Sequence, residues 1–225
     1  TWDSTWESEY REVHQKAAVL YRKQARFKLI TTGKISQKNL LFEEQHLERL
    51  RKASRYFAFP FDLEDLKQKI EEECHACDAN QDYRLRISLS KSGKIELNCQ
   101  VLEPLSPSFC QAKLCLQGAD LNQSFTYFKT THRPHLSLGE QEKIYHNTRG
   151  ELLETTIGNL VLKIAGKLYT PPIRLGILPG IYRQHLLETG QVEEKVLTLA
   201  DLVQAEAIYG CNAVRGLYEL SVKER

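Results

Sequence analysis

The sequence lacks methionine and lacks an excess of charge of either sign. Its 31 lysine and arginine residues are nearly matched by 29 aspartate and glutamate residues, which leaves a formal net charge of +2. Such a balance gives no electrostatic reason to bind nucleic acid or an anionic membrane surface. We therefore expect neither nucleic acid nor a membrane as a partner.

Long hydrophobic runs are also absent. No apolar stretch approaches the roughly 18 residues that cross a bilayer, and none has the layout of a signal peptide. Hydrophobic residues make up 41% of the chain and charged residues 27%, which is typical of a globular protein with a real core. The sequence predicts a cytoplasmic protein.

The cysteines give no pattern of metal ligands. Of six cysteines, only Cys74 and Cys77 have the spacing of a zinc or redox pair, and no second pair follows them. We expect free thiols in a reducing compartment and no metal. A glycine-rich phosphate loop, a zincin helix and a nucleophile elbow are likewise missing from the sequence.

Two regions of different texture make up the chain. Hydrophobic periodicity predicts helices over 6–21, 43–56 and 63–77, strands over 27–32, 39–42 and 112–116, and a hairpin over 83–102. Beyond the linker-like stretch 118–124 come short strands with tight turns, helices over 180–187 and 199–207, and a strand over 208–220. The sequence predicts an α+β protein with a small N-terminal lobe (1–117), an interlobe linker (118–124) and a larger C-terminal lobe (125–225).

Four scattered features carry possible chemistry. They are Arg49 on the second predicted helix, Lys129 just after the linker, Glu154 before an Asn-Leu strand, and the turn 178–180 at a helix start. Each taken alone is most often an ordinary surface residue or a plain tight turn. A helix start, however, leaves backbone N–H groups free and presents the positive end of a dipole, which suits a phosphate.

Taken together and in this order, the four features resemble the class IV aminotransferases. These enzymes depend on pyridoxal 5'-phosphate (PLP) and include branched-chain and D-amino-acid aminotransferases and the aminodeoxychorismate lyases. The resemblance covers about 27–220 and implies a two-lobed, D-amino-acid aminotransferase-like fold. The lyases are the closer match through the stretches 53–62, 129–133 and 212–217.

The resemblance assigns the cofactor contacts. Lys129 would bind PLP covalently and, once displaced by a substrate amine, would move the proton in the reaction. Glu154 would pair with the pyridine nitrogen. Arg49 would bind the phosphate together with the backbone N–H groups of Ile181 and Tyr182.

Further contacts are implied by the same resemblance. Asn212 and Ala213 would complete the cofactor site, and Arg133 and Arg215 would bind carboxylates of the substrate. The family often carries a tyrosine a few positions after the lysine. Here that region reads Pro-His-Leu, with His135 at its centre.

The resemblance also implies a reaction and partners. A lyase of this family removes pyruvate from 4-amino-4-deoxychorismate to give p-aminobenzoate for folate biosynthesis. The alternatives are a class IV aminotransferase acting on branched-chain or D-amino acids, and a non-catalytic interaction module. We expect a homodimer, and the first helix with no initiating methionine predicts a join to an upstream aminodeoxychorismate synthase domain.

Overall fold

The computed structural model describes residues 26–117, 124–136, 139 and 141–222, together with residues 5–7, 9, 10 and 12. Within these ranges the helices are α1 Glu43–Phe57, α2 Leu63–Ala76, α3 Ser124–Tyr127, α4 Ile181–Glu188 and α5 Leu199–Gln204, with a short 3-10 helix at Ile173–Leu175. The strands are β1 Leu29–Ser36, β2 Asn39–Leu40, β3 Tyr83–Leu89, β4 Ile95–Val101, β5 Gln111–Leu116, β6 Lys143–His146, β7 Leu152–Thr155, β8 Asn159–Ile164, β9 Lys167–Thr170, β10 Glu193–Glu194, β11 Ala207–Asn212 and β12 Gly216–Val222. Most of the predicted helix over 6–21 lies outside the described residues.

A four-stranded antiparallel sheet of order β2-β1-β3-β4 forms the first half of the fold. Leu85, Ile87 and Leu89 of β3 are buried in a core shared with α1 and α2. Because side chains alternate across a strand, Arg84 and Arg86 lie on the opposite face of this sheet, away from its core. The first half therefore offers one apolar face to its helices and one basic face to the rest of the molecule.

Strand β1 continues through Gly33, where the sequence predicted its end. A Cβ atom at Gly33 would lie 2.6 Å from Nε2 of His46, so only glycine lets α1 approach the strand this closely. The Nδ1 atom of His46 is in turn hydrogen-bonded to Oγ1 of Thr31 at 2.6 Å. Helix α1 is thus fixed against β1 by close packing and by a buried polar contact.

An eight-stranded mixed sheet of order β10-β9-β8-β11-β12-β5-β6-β7 forms the second half, and β7 also pairs with β8. Strand β5 lies within the predicted first lobe, 1–117, but runs parallel to β6 and β12 of this second sheet. Leucine and isoleucine side chains of β6, β7 and β8 pack with Leu197 and Leu202 in the main core of this half. Two sheets with surrounding helices confirm the predicted α+β class.

Two predicted elements differ from the structure, one helix in its length and one strand in being a hairpin. The predicted helix over 199–207 ends at Gln204, and the predicted strand over 208–220 is the hairpin β11–β12. The side-chain oxygen of Asn212 accepts hydrogen bonds from the backbone N–H groups of Val214 and Arg215, both at 2.9 Å, and this turns the chain. The predicted linker falls almost entirely on residues that the structure does not describe, and none of the described helices has the length and apolar character needed to cross a membrane.

The segment around residue 129 joins the two halves. The backbone N–H of Ile30 donates to the carbonyl of Lys129 at 3.0 Å, and that of Thr131 donates to the carbonyl of Lys28 at 2.9 Å. These bonds attach the segment to the edge of β1 as one additional short bridge. Lys129 therefore projects from a fixed backbone at the junction of the sheets.

Candidate active site

One cavity collects most of the residues that the sequence singled out. Its walls come from α1, from the segment after α3, from β7, from the start of α4 and from the end of β11. The predicted residues that line it are Arg49, Lys129, Arg133, Glu154, Ile181, Asn212 and Ala213. The fold thus brings together positions up to 164 residues apart in the sequence, from Arg49 to Ala213.

Two of the predicted residues, Tyr182 and Arg215, do not line this cavity. The ring of Tyr182 packs against that of Phe42, with centroids 6.0 Å apart, so only its backbone belongs to the start of α4. Arg215 lies on the β11–β12 turn, close enough to Arg84 for its charge to lower the pKa of that residue further than burial alone does. It faces the basic side of the first sheet.

Lys129 is the cavity's basic centre. Burial lowers the pKa of its amine well below the ordinary value, and the positive charges of Arg49 and Arg133 lower it further. More distant Arg86 and Arg84 act in the same direction. The lowered pKa favours the unprotonated amine, which is the form able to act as a nucleophile or a base.

The turn before α4 is held by side chains from both halves of the fold. Nη2 of Arg49 donates to the carbonyl of Pro179 at 2.6 Å, and Nδ2 of Asn159 donates to that of Leu178 at 2.8 Å. A Cβ atom on Gly180 would lie 1.9 Å from the side-chain oxygen of Asn159, so the backbone can pass there only because the residue is glycine.

The start of α4 is built to receive an anion. Its N-cap, Gly180, has no side chain to satisfy the first backbone N–H groups of the helix, which include those of Ile181 and Tyr182. The guanidinium of Arg49 lies beside these donors through its bond to Pro179. A phosphate fits this combination of free N–H groups, helix dipole and guanidinium.

At the other side of the cavity lies Glu154 of β7, whose side chain is 1% exposed. Burial raises its pKa to about 7, while Arg133 and the N–H of Leu178 oppose the increase. Nη2 of Arg133 is 3.7 Å from Oε2, and the Leu178 N–H donates to the same oxygen at 3.4 Å. Oε1 has no hydrogen-bond partner among the described residues.

Three residues near the site were not assigned to it from the sequence. Arg84 and Arg86 share the basic face of β3, and their charges reach Lys129. Alternating arginines on one strand were the available signal. His135 lies in the region after the lysine where the family often carries a tyrosine. It is buried, and its Nε2 atom is 3.8 Å from Oε1 of Glu154.

The donor set fits PLP. It supplies an amine of lowered pKa for the aldehyde, an anion cup for the phosphate and a buried carboxylate, with one oxygen unpaired among the described residues, for the pyridine nitrogen. Among the described residues, no group of three or more histidine, cysteine, aspartate or glutamate side chains could hold a metal ion.

Comparisons with known proteins agree with this geometry. The model of the family named amino-transferase class IV matches residues 28–221. An aminodeoxychorismate lyase from Saccharomyces cerevisiae is 25% identical over 260 aligned residues, which cover 85% of this chain and 69% of the yeast protein.

Solved structures share the fold. A protein from Mesorhizobium loti, assigned as an amino-acid aminotransferase, is 28% identical, with a TM-score of 0.75, over 88% of this chain and all of its own. A hypothetical aminotransferase from Mycobacterium tuberculosis in its PLP-bound form is 19% identical, with a TM-score of 0.72, over 93% of this chain and 84% of its own. The predicted two-lobed fold is confirmed, and the chain belongs to the class IV aminotransferase family.

Proposed function

We propose that this chain is a PLP-dependent lyase that converts 4-amino-4-deoxychorismate into p-aminobenzoate and pyruvate. The observation that carries the proposal is the position of Lys129 in one cavity with an anion cup and a buried carboxylate. Burial and neighbouring guanidinium groups lower the pKa of its amine. The yeast relative that bears the lyase name supports the choice of reaction.

PLP, when bound, supplies a covalent link to the substrate amine and withdraws electrons from the carbon that carries it. Arg49 and the first N–H groups of α4, those of Ile181 and Tyr182, would hold the phosphate. Glu154 would face the pyridine nitrogen and keep it protonated. Asn212 and Ala213 line the wall of the same cavity and would limit the cofactor's position.

Lys129 then acts as the base. Its amine removes the proton from the amine-bearing ring carbon, and the electron pair left there expels the enolpyruvyl oxygen from the neighbouring ring carbon. One C–H and one C–O bond break, the ring becomes aromatic, and the proton ends on the departing enol, which becomes pyruvate. The two products together contain every atom of the substrate, so neither water nor an amino acceptor is consumed.

A concentration of positive charge suits this substrate, which carries two carboxylates. Arg84 and Arg86 extend the basic face of β3 toward Lys129, and Arg215 lies beside Arg84. We assign Arg215 to a substrate carboxylate together with these two strand arginines. Arg133, although predicted for the same task, lies 3.7 Å from Glu154, so its charge is shared with the cofactor side of the cavity.

A class IV aminotransferase acting on a branched-chain or D-amino acid is the second candidate. The resemblance to the Mesorhizobium loti protein favours it, and the same lysine, glutamate and arginine would serve that reaction. The two functions diverge after the proton has been removed. An aminotransferase needs a keto acid to complete its cycle, and the lyase does not.

We further propose that the chain works as a homodimer in the cytosol, fused to or alongside an aminodeoxychorismate synthase. Its cysteines are free thiols, as a reducing compartment would keep them. Sedimentation at micromolar concentration tests the dimer. A monomer with full activity would contradict it.

The competing functions are separated by offering the PLP-loaded chain leucine or D-alanine together with 2-oxoglutarate. We expect no glutamate to form beyond the rate of a control lacking protein. Sustained glutamate production, with no p-aminobenzoate from aminodeoxychorismate, would replace the lyase proposal with the aminotransferase one.

A further inference from the structure

The imidazole of His135 is a buried polar group with no hydrogen-bond partner in the part of the chain that the structure describes. Its side chain has no solvent exposure, and neither ring nitrogen has a hydrogen-bond partner among the described residues. An unsatisfied polar atom inside a protein costs about 1–3 kcal/mol, so native structures rarely keep one without a reason. His135 keeps two.

The polar atom that the structure places opposite His135 belongs to Glu154. Nε2 of His135 is 3.8 Å from Oε1 of Glu154, and that oxygen is itself buried and unpaired. The other carboxylate oxygen, Oε2, is already held by the N–H of Leu178 and approached by Arg133. Oε2 of Glu154 thus has its contacts in place, while Oε1 has the imidazole 3.8 Å away and has lone pairs for both an imidazole N–H and the pyridine nitrogen.

The separation is close to that of a hydrogen bond. An N–H···O bond needs about 2.7–3.2 Å, so a rotation that shortens the gap by less than about 1 Å would form it. Contacts in active sites are often long before ligands bind and shorten afterwards. A cofactor nitrogen drawn up to Glu154 would give the carboxylate its charge and strengthen this contact.

The charge state of His135 suits a donor. Burial, aided by Arg133 and His132, lowers the pKa of His135 to about 4. The ring is therefore neutral near pH 7 and carries a single N–H, which can lie on Nε2. A neutral donor stabilises the carboxylate form of Glu154 without adding a positive charge that would compete with the pyridine nitrogen for this carboxylate.

We propose that His135 is a positioning residue that donates a hydrogen bond from Nε2 to Oε1 of Glu154 and so orients this carboxylate toward the cofactor's pyridine nitrogen. This inference rests on the proposed PLP-dependent function. It assigns a role to His135, which lies in the region where the family often carries a tyrosine. His135 acts through Glu154 and touches no reacting atom.

Substitutions that keep or remove the donor test the proposal. H135L has a similar volume and no donor, H135Q places an amide nitrogen near the position of Nε2, and H135N places one near Nδ1. We expect H135L and H135N to weaken PLP binding about 10-fold, since a hydrogen bond to a charged group is lost, and H135Q to bind within about 3-fold of the wild type. The dissociation constant is read from the visible absorption of bound PLP.

A second readout separates positioning from a structural role. The melting temperature of the PLP-free protein should not fall in H135L, because the wild-type imidazole has no partner there to lose. H146F serves as a matched control, because His146 lies at the end of β6 and bonds the carbonyl of Asn147 instead. That variant should bind PLP as the wild type does.

A double-mutant cycle shows whether the effect passes through Glu154. In an E154Q background, H135L should cause less than about a 2-fold further loss of PLP affinity, because the acceptor's charge is already gone. Independent, multiplying losses in the two backgrounds would overturn the proposal. Equal affinities of wild type, H135L and H135N would overturn it as well.

Failure of the inference and failure of the proposed function give different results. A wild-type protein that binds no PLP contradicts the function and the inference together. A wild-type protein that binds PLP and is matched by H135L contradicts the inference alone. If H135L does not fold, the comparison of H135Q with H135N decides, and equal binding by these two rejects a donor at Nε2.

Discussion

Protonating the amine of Lys129 is less favourable than protonating the surface lysines of this chain. Its backbone is bonded to β1, and burial with nearby guanidinium groups makes its ammonium form unfavourable. We predict that borohydride reduction of the PLP-loaded protein leaves a single stable adduct, on Lys129. K129A should leave none, while K163A, a change at an exposed lysine paired with Glu206, should leave the adduct in place. Peptide mapping that places it on another lysine would contradict the assignment.

Arg49 and Glu154 should fail in different ways. R49A removes the guanidinium beside the start of α4, so PLP affinity should fall roughly 10- to 150-fold, as expected for a charged hydrogen bond worth about 1.5–3 kcal/mol. R51A is the control, because Arg51 lies on the same helix but pairs with Glu48 on the surface.

E154Q should weaken PLP binding by no more than the roughly 10-fold expected for H135L and should mainly slow turnover at saturating PLP, because a neutral amide does not hold the proton on the pyridine nitrogen. Affinity comes from titration of the visible absorption, and turnover from product release at saturating PLP. Equal losses of affinity in R49A and E154Q, with turnover unchanged in both, would show that the two roles are wrongly divided.

Among the elements, α1 and β1 depend on a histidine that must stay neutral. Burial, with Arg49 and Lys129, lowers the pKa of His46 from 6.5 to about 3. The folded state binds this proton less readily than the unfolded state, so the stabilisation is complete above about pH 6.5 and is lost as pH falls toward 3. Between these limits the loss is about 1.4 kcal/mol per pH unit.

H46N tests this linkage, because asparagine can still bond Thr31 but does not titrate. Urea unfolding of the PLP-free protein at pH 7, 6 and 5 should show the stability advantage of the wild type shrinking by about 0.7 kcal/mol from pH 7 to 6 and by about 1.2 kcal/mol from pH 6 to 5. If the two proteins lose stability in parallel, another group accounts for the acid sensitivity.

Elements with strong local signals could be predicted from the sequence. The hairpin predicted over 83–102 is formed by β3 and β4, and the helix predicted over 63–77 is α2, which Asp62 caps by accepting the N–H groups of Glu64 and Asp65. Gly33 was misread because its reason is close contact with His46, which lies 13 residues away in the sequence. The turn in the β11–β12 hairpin depends on the Asn212 side chain, in a stretch that otherwise resembles one strand.

At the scale of the whole molecule, the site exists because two sheets meet. The order of Arg49, Lys129, Glu154 and the turn 178–180 along the chain was enough to predict the family. Arg84 and His135 could not be assigned in this way, because their significance lies in charges and unpaired atoms brought together across the fold. The cofactor and substrate contacts of all the predicted site residues remain predictions, and that of Tyr182 rests on its backbone N–H alone.

For the whole molecule, we expect removal of the proton to lead to loss of pyruvate and not to transfer of an amino group. Its most direct test couples purified aminodeoxychorismate synthase to the PLP-loaded chain with no keto acid added. We predict many turnovers by the wild-type protein and no product with K129A. Fluorescence should detect p-aminobenzoate and lactate dehydrogenase should detect pyruvate, in equal amounts. The lyase function would be contradicted if the PLP-loaded wild-type protein formed no p-aminobenzoate, or released it only when a keto acid was supplied.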